Sequence, residues 1–319
     1  MRSEFEFIQH IKKTFSLDRI GDDCAILPKD AETDMVVTAD MLVDEIDFRL
    51  EWTTPEQLGW KVLAVSLSDI AAMGAEPRWS MLSIAVPQAI WSSDFLDRLY
   101  DGWFDLARQH NVELVGGDIS KTSGKLVVDS MVGGEVPKRR AILRSTARPG
   151  DAIFVSGELG GAAAGLELLE DGLRLENELM NCQRDLVLRQ LQPVPGLDVS
   201  GQLQSRHLAS SMIDLSDGLS SDLAQICEQS RVGARIFADK LPLPSDMKQM
   251  HFSFDEKLNF ALNGGEDFEL LFTGSKEKIL NAEIPEIHHI GDVTANVGII
   301  ELVRDGKTEI LEASGFRHF

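Results

Sequence analysis

The sequence predicts two domains, an α/β domain followed by an α+β domain. Strand-like and helix-like segments alternate in the first half, whereas the second half opens and closes with strands and has helical segments between them. Residues 146–151 have the composition of a turn or linker. The chain has 319 residues, of which 43% are hydrophobic, and this is enough for two globular cores. We expect domains at residues 1–146 and 147–319.

The first half contains one helix with clear ends. Residues 55–73 predict a helix, because Thr54 can cap its N-terminus and Gln57 can complete a capping box. Gly74 stands where a helix C-terminus favours glycine. The other elements expected in this half are strands at 35–39, 79–86, 112–115 and 126–132, and a helix from Ser92 or Ser93 to Asn111.

The second half predicts fewer elements. A strand at 152–156 precedes a glycine-rich turn and an Ala/Leu-rich helix at 162–169. Further strands are expected around 268–273 and 297–303, and Pro-rich loops at 193–196 and 241–244.

Composition excludes several classes of function. The chain has 31 basic and 52 acidic residues, a net charge of −21, which disfavours nucleic-acid binding. No apolar run approaches the ~20 residues of a membrane span. Residues 1–6 become acidic before any signal-peptide core, so we expect a cytoplasmic protein. Cys24, Cys182 and Cys227 are widely spaced and indicate neither disulfides nor a zinc site.

Acidic residues recur in turns, beside apolar strands and inside one apolar helix. They lie at 21–25, in the segment 40–47 expected to follow the first strand, at Asp69, in 116–118 expected to follow another strand, at 213–218 and at 264–269. Few Lys or Arg residues stand near them in the sequence. Hard divalent cations with oxygen ligands, above all Mg²⁺, are the natural counter-charge.

Asp69 is the most informative of these acids. It lies one turn before the end of its predicted helix, where the helix dipole disfavours a negative charge by roughly 0.3–1 kcal/mol. A metal ion would offset that cost, although a solvated or hydrogen-bonded Asp69 is the alternative. Asp22, Asp214 and Asp217, taken singly, also fit turn or cap positions. Asp222 is predicted to be a first-turn charge or a cap of the helix through Ile226 rather than a ligand.

Seven motifs together resemble the thiamine-monophosphate kinase family, of the superfamily that includes aminoimidazole ribonucleotide synthetase. The motifs are GDDCA at 21–25, TADMLVDEIDF at 38–48, LAVSLSDIAAMGAEP at 63–77, VGGD at 115–118, IDLSDGL at 213–219, GGEDFELLF at 264–272 and GFRHF at 315–319. They occur in the family's order, and the resemblance covers nearly the whole chain.

The resemblance implies an activity, a fold and a set of site residues. The activity is ATP-dependent phosphorylation of thiamine monophosphate to thiamine diphosphate with several Mg²⁺ ions. The implied fold is aminoimidazole ribonucleotide synthetase-like: an N-terminal mixed β-sheet with helices that dimerises through its strands, and a C-terminal α+β domain that completes the cleft. The metal positions are Asp23, Thr38, Ala39, Asp40, Asp69, Asp118, Asp214 and Asp217. The ATP positions are Tyr100, Gly117, Asp118, Arg144 and Ser216, and the substrate positions are Asp47, Glu266 and Phe316.

Two positions depart from the family's pattern. Asp47 stands where a His is common, which puts that substrate contact in question, and Ala39 stands where a hydroxyl residue is usual, which leaves only a backbone carbonyl for a metal. Tyr100 also fits plain core packing, since it lies on the apolar face of its predicted helix.

The implied chemistry needs no catalytic residue in the sense of a general base. The acceptor phosphate has a second pKa near ~6 and is ionised at neutral pH. In-line positioning and charge neutralisation then carry the reaction. The alternatives are another ATP-using enzyme of the superfamily, or a non-catalytic protein that binds divalent ions or nucleotide.

Overall fold

The protein folds around two mixed β-sheets. The structure, a computed structural model, describes residues 4–17 and 19–315. The first 137 residues supply α1 (Glu4–Thr14), β1 (Ala25–Pro28), β2 (Thr33–Val43), α2 (Pro55–Ala72), β3 (Glu76–Pro87), α3 (Gln88–Trp91), α4 (Phe95–Gln109), β4 (Glu113–Thr122) and β5 (Val127–Pro137).

The remaining elements follow a short 3-10 helix at Arg144–Thr146. They are β6 (Ala152–Ser156), α5 (Gly161–Glu170), α6 (Asn181–Leu191), α7 (Leu197–Ser205), β7 (Ala209–Asp214), α8 (Leu219–Ser230), β8 (Gly233–Phe237), α9 (Phe254–Asn263), β9 (Leu270–Gly274), α10 (Lys276–Leu280), β10 (Ile287–Thr294), β11 (Ile300–Arg304) and β12 (Lys307–Ile310). Two 3-10 helices, Ala238–Lys240 and Ser245–Gln249, lie between β8 and α9.

The N-terminal sheet has the strand order β1-β2-β5-β3-β4. β3 and β4 are parallel and the other pairs are antiparallel, so the sheet is mixed as expected. Helices α2 and α4 pack on one face, where Val62, Leu67 and Trp103 are fully buried. Helix α2 begins as the sequence predicts, because Thr54 and Gln57 form both hydrogen bonds of the capping box.

All four predicted strands of this sheet are longer than the sequence indicates, and two of the extensions change where acidic residues lie. β2 extends to Val43, so the expectation that Asp40 follows the first strand is wrong. β4 runs through Gly116–Asp118 to Thr122, so that segment does not follow the strand but lies inside it. Gly116 and Gly117 favoured a turn in the sequence analysis, because glycine weakens a strand interior. Among the described strands, β4 is an edge strand that pairs only with β3, and such pairing is not visible in local composition.

The C-terminal sheet has the order β12-β11-β8-β10-β6-β9-β7. β8 and β11 are parallel and its other pairs are antiparallel. The strand expected around 268–273 begins only at Leu270, and the one expected at 297–303 is Ile300–Arg304. Phe268 instead has a left-handed φ of 50° and joins the N-terminal hydrophobic core.

Helix α2 is the central contact between the two halves. The Trp60 indole Nε1 donates to the Pro193 carbonyl at 2.7 Å, and the Ser200 hydroxyl donates to the Ala71 carbonyl at 2.6 Å. Together with Phe268, these contacts place the second half against α2. No helix in the described part of the chain has the length and apolar character to cross a membrane.

Candidate active site

Three carboxylates from distant parts of the chain meet between the two sheets. Asp23 precedes β1, Asp69 lies in the last turn of α2, and Asp214 is the last residue of β7. One carboxylate oxygen of each lies within 4.8 Å of the others. We call these three residues the acid cluster. Its oxygen donors are the kind that hold a hard divalent cation.

Burial and repulsion from neighbouring carboxylates disfavour the ionised forms of Asp69 and Asp214. Burial raises the pKa of Asp69 well above its usual range, and the charges of Asp40, Asp214 and Asp23 raise it further. Burial, followed by the charge of Asp23, also raises the pKa of Asp214. A positive charge among them is what would keep all of them ionised at neutral pH.

Arg144 supplies one fixed positive charge beside the acid cluster. Its guanidinium Nη2 lies 2.5 Å from Asp23 Oδ1, and its Nε lies 3.2 Å from Asp23 Oδ2, which makes a bidentate pair. The Arg144 backbone amide also donates to Asp22 Oδ1 at 2.8 Å. Asp22 therefore holds the backbone of Arg144.

Strand β2 brings two more predicted metal residues to the cluster. The Thr38 hydroxyl donates to Asp69 Oδ2. The Ser66 hydroxyl of α2 donates to Asp40 Oδ2 at 2.8 Å. Burial, only partly offset by Ser66, raises the pKa of Asp40 to about 6. Thr38 and Asp40 alternate with the exposed Ala39, so Ala39 lies on the other face of β2.

A cavity of about 630 Å³ opens beside Asp40, between the two halves. The N-terminal half contributes polar and apolar residues to it, including Asp40, Asp47, Arg49, Trp52, Lys61 and Val65. The C-terminal half contributes Gln190, Ser216, Asp217, Glu266, Phe268 and Gly315, among others. Its size fits a small organic substrate.

The loop that carries Ser216 and Asp217 is held by Asp222. The Asp222 carboxylate Oδ2 accepts the backbone amides of Asp217 at 3.2 Å and Gly218 at 3.1 Å. Asp222, in the first turn of α8, thus binds the loop that precedes the helix. Gly218 has a left-handed φ of 113°, which glycine adopts without strain.

Glu266 reaches the cavity from a strained loop. It has a left-handed φ of 66°, and its backbone amide donates to the Ser216 carbonyl at 2.8 Å. Its carboxylate Oε1 lies 2.8 Å from the Lys61 ammonium, and Oε2 accepts a hydrogen bond from the Gln190 amide. Strain of this kind is often found at functional sites.

Asp47 also lines the cavity, but its carboxylate has a local role. Asp47 Oδ2 accepts the backbone amide of Val43 at 2.7 Å. It therefore closes the turn that follows β2.

The structure leaves some predicted residues outside this region. Tyr100 lies on α4, packs against the N-terminal core and has its ring centre 6.4 Å from that of Phe104. Gly117 and Asp118 lie on the exposed edge strand β4. Phe316 lies outside the described residues. The roles of these residues, and of Ala39 as a ligand, stay predictions.

Sequence reasoning missed two residues that contact Glu266. Lys61 begins an otherwise apolar stretch of α2, and a charge in such a stretch was a usable signal. Gln190 gave no signal, because a glutamine near the end of an amphipathic helix is ordinary.

Comparisons with known proteins identify relatives over nearly the whole chain. Residues 21–136 match the family model of the AIR synthase related protein, N-terminal domain, and residues 148–303 match that of its C-terminal domain. The chain is 38% identical to the thiamine-monophosphate kinase of Bacillus subtilis (strain 168), over 94% of this chain and 93% of the relative. It is 39% identical to that of Escherichia coli (strain K12), over 94% of this chain and 91% of the relative.

A solved structure is similar over the whole fold. The structure of AaThiL complexed with AMPPCP and TMP superposes with a TM-score of 0.88 at 34% identity, and the match covers 99% of this chain and 97% of that one. Both domain matches and the full-length relatives lead to one conclusion. The chain belongs to the thiamine-monophosphate kinase family of AIR synthase related proteins.

Proposed function

We propose that this protein phosphorylates thiamine monophosphate with ATP and forms thiamine diphosphate and ADP. The observation that carries this function is the acid cluster beside a cavity of about 630 Å³. The relatives named above are thiamine-monophosphate kinases, and AaThiL was solved with AMPPCP and TMP, an ATP analogue and the acceptor.

The residues of the cluster fit Mg²⁺. Asp23, Asp69 and Asp214 provide carboxylate oxygens within 4.8 Å of one another, and the chemistry of this donor set suits a hard cation. Asp40 and the Thr38 hydroxyl stand next to them. Bound there, Mg²⁺ would neutralise charge on the transferred phosphoryl group. We also propose Asp217, Asp118 and the Ala39 carbonyl as ligands, on the resemblance alone.

The protein's own groups position the two substrates. Arg144, held on Asp23, presents a guanidinium that suits a phosphate of ATP. The Ser216 loop, fixed by Asp222, lines the cavity between the two halves. Glu266 faces the cavity from the loop after α9 and suits the acceptor. We propose Tyr100 and Gly117 as ATP contacts and Asp47 and Phe316 as acceptor contacts, from the resemblance.

No side chain is needed to activate the acceptor. The acceptor phosphate loses its second proton near ~6 and carries an ionised oxygen at neutral pH. The protein then contributes orientation and charge neutralisation rather than proton removal. This is consistent with the cavity lining, which contains no histidine among the described residues.

One assay tests the function. The purified protein is incubated with ATP, Mg²⁺ and thiamine monophosphate, and the products are separated by chromatography. We expect equal amounts of thiamine diphosphate and ADP, and neither product when Mg²⁺ is chelated. ADP without thiamine diphosphate would indicate another acceptor. The absence of turnover would contradict the kinase function and favour a protein that only binds divalent ions or nucleotide.

We also propose a homodimer through the N-terminal sheet. Met41, Met81 and Met131 lie on one sheet face and are 61%, 39% and 36% exposed. Met81 is registered with Met131 on the neighbouring strand, so the exposed side chains are adjacent. A second copy of this chain offers the same apolar face, as a two-fold interface requires.

Light scattering on the intact protein tests the dimer. We expect twice the mass of one chain for the wild type and one chain mass for Met131→Glu, because a charge at the centre of an apolar interface must be desolvated. Met180→Glu, an exposed methionine before α6, is the control and should stay dimeric. A wild-type monomer at micromolar concentration would contradict the proposal.

Two further expectations from the sequence remain proposals. They are the cytoplasmic location and the division into domains at residues 1–146 and 147–319. The gap between β5, which ends at Pro137, and β6, which begins at Ala152, supports the division.

A further inference from the structure

A lysine inside the cavity has no role in the function described so far. Lys61 lies in the second turn of α2, and its side chain is 4% exposed. A lysine is rarely buried this deeply without a partner, because its ammonium loses hydration. Its partner is Glu266, at 2.8 Å, on the opposite side of the cleft.

Glu266 is held from both domains at once. Lys61 of α2 contacts one carboxylate oxygen, and Gln190 of α6 donates to the other. The backbone amide of Glu266 is bound by the Ser216 carbonyl. Both oxygens of the carboxylate and its own amide therefore have fixed partners.

The backbone of the loop around Glu266 is strained and is held by its own hydrogen bonds. Glu266 and Phe268 both have left-handed φ values, 66° and 50°, which cost energy in residues with a side chain. The Asp267 carboxylate between them accepts the backbone amides of Gly160 at 2.5 Å and Ala162 at 3.1 Å. The backbone of the loop is thus fixed independently, while the direction of the Glu266 side chain depends on Lys61 and Gln190.

Helix α2 also links this contact to the metal side of the cleft. Lys61 and Asp69 are eight residues apart, about 12 Å along the helix axis at 1.5 Å per residue. One rigid element thus carries a residue of the acid cluster and the partner of Glu266. Lys61 therefore lies at the Glu266 end of the cavity, away from Asp69.

We propose that Lys61 and Gln190 are positioning residues that hold the Glu266 carboxylate for the acceptor. This inference rests on the proposed function. The Lys61–Glu266 pair is close to neutral as a unit, so Glu266 acts on the acceptor as an oriented hydrogen-bond acceptor and not as an isolated counter-charge. Acceptor affinity then depends on a lysine of the N-terminal domain.

Steady-state kinetics of single variants test the inference. Lys61→Met replaces the lysine with an uncharged side chain of nearly the same length, and we expect the KM for thiamine monophosphate to rise about ten-fold or more. The KM for ATP and kcat should change by less than about three-fold. Gln190→Leu should also raise the KM for thiamine monophosphate. Lys61→Arg, which retains a cation with a different shape, should restore part of the affinity.

A double variant distinguishes positioning from direct contact. If Lys61 acts through Glu266, then Lys61→Met combined with Glu266→Gln should bind the acceptor no more weakly than Glu266→Gln alone. The control is Lys138→Met, which breaks the ion pair between Lys138 Nζ and Asp34 Oδ1, 2.7 Å apart. This pair lies away from the cavity, so both KM values should be unchanged.

The outcomes separate this inference from the proposed function. A wild type that does not phosphorylate thiamine monophosphate contradicts the function itself. An active wild type whose Lys61→Met variant keeps its acceptor KM, or loses only kcat, overturns the inference, since a loss of kcat alone would mean contact with the transferred phosphoryl group. If Lys61→Met does not fold, Gln190→Leu decides by the same criterion.

Discussion

At the residue scale, the site depends on the placement of carboxylates where their charges repel. Burial raises the pKa of Asp69, and the charges of Asp40, Asp214 and Asp23 around it raise it further. The favourable contacts are few: the Thr38 hydroxyl donates to Asp69, and Arg144 pairs with Asp23. Such an arrangement stabilises a bound cation at the expense of the metal-free protein.

We therefore expect Asp69→Asn to remove activity without loss of stability. The amide still accepts the Thr38 hydroxyl but removes a charge from the cluster, so metal-free protein should be as stable or about 1 kcal/mol more stable. Turnover should fall about 100-fold or more, since the amide is a poor Mg²⁺ ligand. Thermal unfolding with chelator and turnover at saturating Mg²⁺ measure the two effects.

The control for this prediction is Asp101→Asn, an exposed position on α4. It should change neither stability nor turnover. An Asp69→Asn variant that is destabilised but fully active would remove Asp69 from the metal site and make it a structural hydrogen-bond acceptor.

A second buried acid predicts how stability depends on pH. Glu269 accepts the Ser156 hydroxyl at 2.6 Å, and burial raises its pKa to about 8 from an ordinary 4.5. Between these values the folded state keeps a proton that the unfolded state releases. The contribution of Glu269 to the free energy of unfolding is thus complete below pH 4.5, falls as the pH rises and levels off above about 8.

Glu269→Gln should remove this dependence. The glutamine carbonyl can accept the same hydrogen bond but cannot ionise. We expect the variant to match the wild type near pH 4.5 and to exceed it by about 3–5 kcal/mol near pH 8.5, measured by urea unfolding. Glu178→Gln, on the surface, should show no such difference. A constant difference at all pH values would mean that Glu269 ionises as it does in the unfolded chain.

At the scale of elements, the crossing of α2 and α4 positions the residues of α2. The helices meet at two glycines: a Cβ on Gly59 would lie 1.8 Å from the Leu99 carbonyl oxygen, and one on Gly102 would lie 1.9 Å from that of Glu56. No side chain fits between backbones this close. The contact determines where α2 presents Lys61 and Asp69.

Gly59→Ala should consequently destabilise the protein although alanine favours helix. We expect a loss of about 1–3 kcal/mol in the free energy of unfolding, because the helices must separate. Gly201→Ala in α7 is the matched control: no atom lies within 4 Å of its added Cβ, so stability should be unchanged or rise by up to about 1 kcal/mol. Equal effects at both sites would contradict the close packing.

The elements that sequence reasoning identified are those with local signals. The capping box of Thr54 and Gln57 and the glycine after α2 are decided by neighbours in the chain, and the structure has them as expected. Strand β8 gave no such signal, because its five residues gain their partners from β10 and β11, more than fifty residues later. The prediction that residues 116–118 follow a strand was wrong for the same reason, because pairing with β3 extends β4 through them.

At the scale of the whole molecule, the site exists only where the two sheets meet. The sequence identified the acids of the cluster, through the motifs that hold them. It could not show that Arg144 lies 121 positions from Asp23 and still pairs with it, or that Lys61 reaches Glu266. These contacts depend on how α2 packs against the C-terminal half, which no local pattern encodes.

The cavity that the two halves form together leads to a prediction about the acceptor. Free thiamine presents an alcohol, which needs a base to become a nucleophile, whereas thiamine monophosphate presents an oxygen that is ionised above about pH 6. The described lining offers several carboxylates but no histidine. We expect turnover of thiamine monophosphate and none of thiamine at saturating ATP and Mg²⁺, and a fall in the rate below about pH 6 as the acceptor gains a proton. Chromatography of both reactions measures this, and inhibition by thiamine would show that it binds without reacting. Equal turnover of the two acceptors would mean that a side chain removes the proton, and the mechanism without a base would then be wrong.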